Sequence, residues 1–212
     1  MKPTRRDHWQ SIYEEKDEIQ TSWYRPHLEQ SLGCIDNLKL DKNLPVVDVG
    51  GGRSTLIDDL LVRGYRDVTV LDLSAKALAD IRQRLGAKAK AGTWIEGDVN
   101  EINWPEARYV LWHDRAVFHF LTDAGGRARY VTAAAHTVRP DGYLVIATFA
   151  SDGPERCSGL PVCRYDATAL AVEFTPSFTM VTHYRDLHQT PSGRQQPFTY
   201  VVLRRCRNSE ST

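Results

Sequence analysis

The 212-residue chain has no surplus of either charge: 27 Lys and Arg stand against 27 Asp and Glu. Binders that work by neutralising phosphates carry a basic excess, so no nucleic-acid partner is expected. No run is long and apolar enough to cross a bilayer, which argues against a membrane partner. The opening Met1-Lys2-Pro3-Thr4-Arg5-Arg6-Asp7-His8 leads into no apolar core, so no secretory signal is read there. Cysteine is scarce, with four in all; Cys157 and Cys163 are the nearest pair, and no C-x-x-C occurs. No spacing of Cys, His or Asp matches a ligand pattern, so no metal is expected. A reduced, cytoplasmic setting is the expectation. Repeats, linkers and low-complexity tracts are also missing, and the length suits one α/β domain spanning residues 1–212.

What is there centres on Val46-Val47-Asp48-Val49-Gly50-Gly51-Gly52-Arg53-Ser54. The β-branched run predicts a buried parallel strand, the glycines a tight turn, and Leu56-Ile57-Asp58-Asp59-Leu60-Leu61 an amphipathic helix. Such a turn lets a ligand lie against bare backbone at a helix start. The dinucleotide fingerprint G-x-G-x-x-G fails at Thr55. A dinucleotide oxidoreductase is disfavoured on that residue.

Further on, acids recur at the ends of predicted strands. Asp72 closes the stretch Asp67–Ser74, 20 positions after Gly52, where an acid can accept hydrogen bonds from ribose hydroxyls. Ser74 is the better N-cap for the helix Ala75–Leu85. Asp98 lies just past a third strand that begins at Thr93. A fourth strand is predicted over 108–112, then a loop over 113–121, a helix over 123–138, a turn at Pro140-Asp141-Gly142 and a fifth strand over 143–149. A long exit loop, a short helix over 167–174 and a closing hairpin of strands 178–186 and 198–203 follow. Trp9, Ile12, Tyr13 and Lys16 fall at helical spacing and precede Trp23 and Tyr24. These aromatics predict a lid, since a cation attracts aromatic faces. Residues 1–40 are therefore read as a helical lid and 41–212 as the core.

The order Asp48-x-Gly50-x-Gly52, Asp72, Asp98 resembles that of class I methyltransferases dependent on S-adenosylmethionine (SAM), although Ser54 stands where a third glycine is usual. The resemblance covers nearly the whole chain. It implies a Rossmann-like α/β fold with a seven-stranded, mostly parallel sheet, an antiparallel last strand and helices on both faces. More narrowly, the chain resembles small bacterial methyltransferases that carry His8-Trp9…Tyr13…Lys16, the run Trp112-His113-Asp114-Arg115-Ala116-Val117-Phe118-His119-Phe120-Leu121, and Gly153-Pro154-Glu155-Arg156-Cys157-Ser158-Gly159-Leu160-Pro161-Val162. The resemblance implies SAM as cofactor and S-adenosylhomocysteine as its product. Asp98 would pair with the adenine amino group, and Val99 would pack on the ring. The expected cofactor set is Asp48, Gly50, Gly51, Gly52, Asp72, Leu73, Asp98, Val99 and His113, with Trp9 and Tyr13 from the lid.

Methyl transfer needs an aligned nucleophile and, for a weak one, a general base. Asp114 and His119, five apart, are expected to face the cleft as catalytic residues, with Arg115 beside them holding an anionic group or pairing with Asp114. Trp23, Phe118, Arg156, Cys157 and His188 are expected around the acceptor. A small polar cluster under a lid suits a small molecule, with a thiol favoured because it needs little base assistance. A monomer or weak homodimer is expected. Two alternatives are a protein-lysine N-methyltransferase and an idle SAM-binding adaptor. The first draws on a distant likeness to lysine methyltransferases that modify elongation factors, which usually place an acid where His119 stands. The second would be marked by loss of the three acids, and all three are present.

Overall fold

A computed structural model describes residues 4–207; the ends of the expected domain, residues 1–3 and 208–212, lie outside the described residues. Seven strands form one sheet: β1 (Val46–Val49), β2 (Val68–Asp72), β3 (Gly92–Glu96), β4 (Tyr109–Arg115), β5 (Val138–Phe149), β8 (Phe178–Gln189) and β9 (Gln195–Arg205). Between β5 and β8 lies a two-residue-strand hairpin, β6 (Arg156–Cys157) and β7 (Leu160–Pro161). The sheet order is β3-β2-β1-β4-β5-β9-β8, and β9 runs antiparallel to both neighbours. From β1 the chain winds outward to β3, then returns to β4 on the other side of β1. That reversal opens a crevice at the carboxyl ends of β1 and β4, the position where ligands bind in such sheets. This is the class I fold expected from the sequence.

β1 and β2 are buried along their whole length, as β-branched runs covered on both faces must be. One face packs against α2 (Glu29–Asn37), α3 (Leu56–Val62) and α4 (Ala75–Leu85), with Ile35, Leu60 and Ile81 at the contact. The other packs against α5 (Ala124–Thr137) and α6 (Ala167–Glu173) through Tyr130, Ala134 and Leu170. Local chemistry sets the helix starts. Ser74 caps α4 by accepting the Ala77 N–H at 3.2 Å. Asp123 caps α5 by accepting that of Gly126 at 2.7 Å. Thr4 and Asp7 form a reciprocal capping box at the start of α1 (Arg5–Glu15).

The strand boundaries differ from expectation in one consequential place. β4 continues through Arg115, so His113 and Asp114 belong to the strand and not to the loop after it. Both neighbours hold them there: His113 stands in register with Asp48 and Val145, and Asp114 with Val49 and Ile146. β5 likewise starts at Val138 and runs through Pro140-Asp141-Gly142, read from sequence as a turn. A register shift between Tyr109 and Leu111 absorbs the irregularity, and Asp141 adopts a left-handed φ of 63°.

Candidate functional site

The glycine turn follows β1 directly. Gly50 and Gly52 have φ of 66° and 53°, a region that suits glycine. Space excludes side chains too. A Cβ on Gly50 would stand 2.0 Å from Val117 Cγ2, and one on Gly52 2.3 Å from the Tyr13 hydroxyl. The N–H groups of Gly50 and Gly51 both donate to the Leu71 carbonyl, at 2.7 and 3.1 Å, tying the turn to the end of β2.

Asp72 lies one step further along. Its carboxylate accepts the Gly52 N–H at 2.8 Å and the Ser74 N–H at 2.8 Å. Burial raises its pKa to about 6 against the pull of those two N–H groups. Asp48 is buried beneath the turn, 2.7 Å from His113 Nδ1, and His113 Nε2 lies 2.9 Å from Ser31 Oγ. Asp98 accepts the Asn100 N–H at 2.9 Å.

These groups border one cleft at the carboxyl edge of the sheet, the edge at which ligands bind in such folds. Gly50, Leu71, Asp72, Leu73, Asp98 and Val99 form its sheet edge, and Val117, Phe120 and Leu121 face it from the turn after β4. Trp9, Tyr13 and Trp23 enclose it from the N-terminal segment, with Arg115 and Cys157 also on the wall. A second, smaller chamber adjoins the first and includes Asp48, Gly51, Ser54, Thr21, Arg25 and His113. Tyr13, Trp23, Gly50 and Arg115 line both.

The N-terminal segment is fastened over this site by named contacts. Arg53, the residue after the glycines, donates to the Lys16 carbonyl at 2.6 Å and to the Tyr13 carbonyl. Its guanidinium lies 5.2 Å from the Tyr13 ring centroid and bonds Asp80 at 2.6 Å. Trp9 packs edge-on against Phe120 and Trp23, with centroids 5.1 and 5.7 Å apart. Gln10 accepts the Ser74 hydroxyl at 2.8 Å.

The structure thus brings to the two chambers Asp48, Gly50, Gly51, Asp72, Leu73, Asp98, Val99, His113, Trp9, Tyr13, Trp23, Arg115 and Cys157, with Gly52 pinned beside them by Asp72. Five other expected residues are not on either wall. Asp114 is fully buried and accepts the N–H groups of Val117 and Phe118 at 2.8 and 3.0 Å and the Tyr130 hydroxyl at 2.5 Å. Its bonds fold the turn after β4, and burial lifts its pKa to about 6. His119 is fully buried too, edge-on between Phe120 and Phe149. Desolvation depresses its pKa to about 3, so it is neutral near pH 7. Phe118 packs into the core against Tyr130 and Phe174. His188 accepts from Arg25 at 2.8 Å and donates to the Ser22 carbonyl at 2.7 Å. Arg156 is exposed and donates to the Gly159 carbonyl of its own hairpin.

The expectation that Asp114 and His119 share one cleft assumed a loop from residue 113 and a helical turn after it. The strand's extension to Arg115 turns Asp114 inward instead. Val117, Phe120 and Leu121 take the wall positions, and sequence reasoning missed them because it looked for polar groups. Arg53 was missed as the fastening of the N-terminal segment, although its place directly after the glycines was a usable signal. Among the described residues no group of three or more His, Cys, Asp or Glu side chains could hold a metal ion, and no helix is long and apolar enough to cross a membrane.

Residues 46–142 match the family model described as a methyltransferase domain. The mouse eEF1A lysine and N-terminal methyltransferase is 23% identical over 118 residues, which is 55% of this chain and 17% of that protein. The chain thus matches less than a fifth of that curated relative's length. A structure from work on the conversion of a disulfide bond into a thioacetal group during echinomycin biosynthesis superposes with a TM-score of 0.78 at 18% identity, covering 96% of this chain and 93% of its own. The 1,6-didemethyltoxoflavin-N1-methyltransferase of Burkholderia thailandensis, solved with 1,6-didemethyltoxoflavin and S-adenosylhomocysteine bound, gives 0.73 at 23% identity, covering 95% and 87%.

Fold, cleft and domain match define the class. Residues 46–142 match a methyltransferase domain, an enzyme domain, and the sheet around them has the class I strand order.

Proposed function

We propose that this protein transfers the methyl group of S-adenosylmethionine to a small-molecule acceptor, with a thiol as the favoured class. One observation carries the reading: the titratable side chains on the walls of the main cleft are Arg5, Tyr13, Asp72, Asp98, Arg115 and Cys157, and none is a histidine. Burial pushes the Cys157 thiol up to about 11 and holds the Tyr13 phenol well above its usual range. Asp72 is already committed to two backbone N–H groups. A wall so poor in bases suits a nucleophile that sheds its proton to water near neutral pH, and a thiol does so more readily than an alcohol.

When bound, the cofactor supplies an electrophilic methyl group on a sulfonium centre. The residues present fit it. Asp72 has lone pairs left for ribose hydroxyls, Asp98 on the same wall would take the adenine amino group, and Leu73 and Val99 would give apolar surface beside it. Trp9, Tyr13 and Trp23 offer aromatic faces to a cation and, as part of the lid over residues 1–40, exclude water from the reacting atoms. Asp114 and His119 act in this reading as positioning residues. Asp114 shapes the turn that presents Val117, and neutral His119 supports Phe120 from behind.

The relatives support a small acceptor unevenly. The Burkholderia thailandensis enzyme acts on a small heterocycle, whereas the mouse relative is named for lysine and N-terminal methylation of a protein. The latter favours a second reading, protein-lysine methylation, and an idle SAM-binding adaptor would show no turnover at all. The four free cysteines suit a reducing, cytoplasmic setting, and a monomer or weak homodimer is the expected state. Labelled SAM offered with panels of small thiols, amines and carboxylates and with lysine-bearing proteins separates the readings. Label in a small thiol supports the proposal; label in protein lysine alone contradicts it.

A further inference from the structure

Arg115 ends β4 and lines both chambers. Its Nη1 donates to the Trp23 carbonyl at 3.3 Å, and the Tyr200 hydroxyl stands near the guanidinium, while its Nε and Nη2 are buried with no hydrogen-bond partner among the described residues. The guanidinium carbon lies 4.5 Å from the Phe198 ring centroid, so packing fixes its position. The carboxylates of this region are engaged elsewhere: Asp48 with His113 at 2.7 Å and Asp186 with Arg25 at 2.9 Å. The other titratable neighbours are uncharged near pH 7. His119 and His188 are depressed to about 3 and about 4 by burial, Cys157 is pushed up to about 11, and burial also raises the Tyr200 phenol. Among the described residues no carboxylate forms an ion pair with Arg115, and a buried cation with donors to spare is costly unless a ligand supplies the partner. Arginine presents its donors as a planar fork that matches a carboxylate.

We propose that the acceptor carries a carboxylate, or a planar oxyanion of the same shape, that binds the free donors of Arg115 where the two chambers meet. The inference deepens the small-molecule reading and rests on it. Trp9, Tyr13 and Trp23 on the same walls favour a flat, aromatic body attached to that anion. Arg115 is then a specificity residue: it selects which nucleophile enters and orients it, with no part in proton transfer.

The test is titration calorimetry of the full chain saturated with S-adenosylhomocysteine, using benzoate and its neutral isostere benzamide as probes. Benzoate should bind at least tenfold more tightly than benzamide. The preference should vanish in Arg115→Gln and return in part in Arg115→Lys, while S-adenosylhomocysteine affinity changes less than threefold in both variants. Equal binding of the two probes to the unaltered protein, or binding of neither, overturns the proposal without any variant. So does a preference that survives in Arg115→Gln. If Arg115→Gln weakens S-adenosylhomocysteine tenfold and leaves benzoate alone, the guanidinium serves the cofactor's own carboxylate and the proposal fails. Absence of a benzoate preference in the unaltered protein, while small thiols are still methylated, refutes this inference alone, whereas label confined to protein lysine refutes the reading beneath it.

Discussion

The Gly52 main-chain N–H points at Asp72 and is accepted by its Oδ2 at 2.8 Å, joining the turn after β1 to the acid at the end of β2. A residue with no side chain and a carboxylate 20 positions away are thereby one unit. Any change to the turn is felt at the acid.

The tightest point of that turn is Gly50. Gly50→Ala forces a left-handed φ on alanine, costing about 1–2 kcal/mol, and drives a methyl group into Val117. Binding of S-adenosylhomocysteine should weaken at least tenfold. The double variant Gly50→Ala with Val117→Ala should recover part of the loss, because it removes the clash and keeps the strain. Calorimetry on the single and double variants checks this, and equal affinities in the two would point to strain alone.

The N-terminal segment should behave as a lid. Limited proteolysis ought to cut within residues 5–25 faster without ligand than with S-adenosylhomocysteine. Arg53→Ala removes the bonds to Lys16, Tyr13 and Asp80 and should raise the ligand-free cleavage rate several-fold. Equal rates in both states would reduce the segment to ordinary packing.

Asp114 is expected to matter more for stability than for chemistry. Trp112 donates to the Tyr130 hydroxyl at 2.8 Å, which in turn donates to Asp114. Asp114→Ala leaves buried donors without an acceptor and should cost about 2–4 kcal/mol; Tyr130→Phe should cost about 1 kcal/mol. A double-mutant cycle read by urea unfolding should show coupling. Full stability in Asp114→Ala would contradict the assignment.

Legibility of the sequence varied with the kind of signal. The β1–glycine–α3 unit, the α4 span Ala75–Leu85 and its Ser74 cap were readable because apolar period and capping chemistry are local. The side-chain direction of Asp114 was not. Whether a strand ends at Trp112 or Arg115 depends on the ladders to β1 and β5, distant in sequence. The same holds for His188, whose partners Arg25 and Ser22 lie more than 160 positions away. Non-local pairing of polar groups leaves no local trace.

His119 gives a pH signature. Its folded pKa of about 3 lies below the ordinary histidine value of 6.5, so folding excludes a proton that the unfolded chain takes up. Its contribution is fully present above pH 6.5 and is lost as pH falls toward 3, by about 2 kcal/mol at pH 5. Relative to the unaltered protein, His119→Leu should therefore fare better at pH 5 than at pH 7. Thermal unfolding at the two values checks the sign, and an identical difference at both would contradict a neutral buried imidazole.

The central claim is that the cleft beside the glycine turn is a SAM site, and titration calorimetry with S-adenosylhomocysteine tests it most directly, with NAD as control. One site of micromolar affinity is predicted, with no heat from NAD. Asp72→Ala should weaken binding by about 1–3 kcal/mol, as loss of a charge-assisted bond requires. Tight NAD binding with none of S-adenosylhomocysteine would contradict the account.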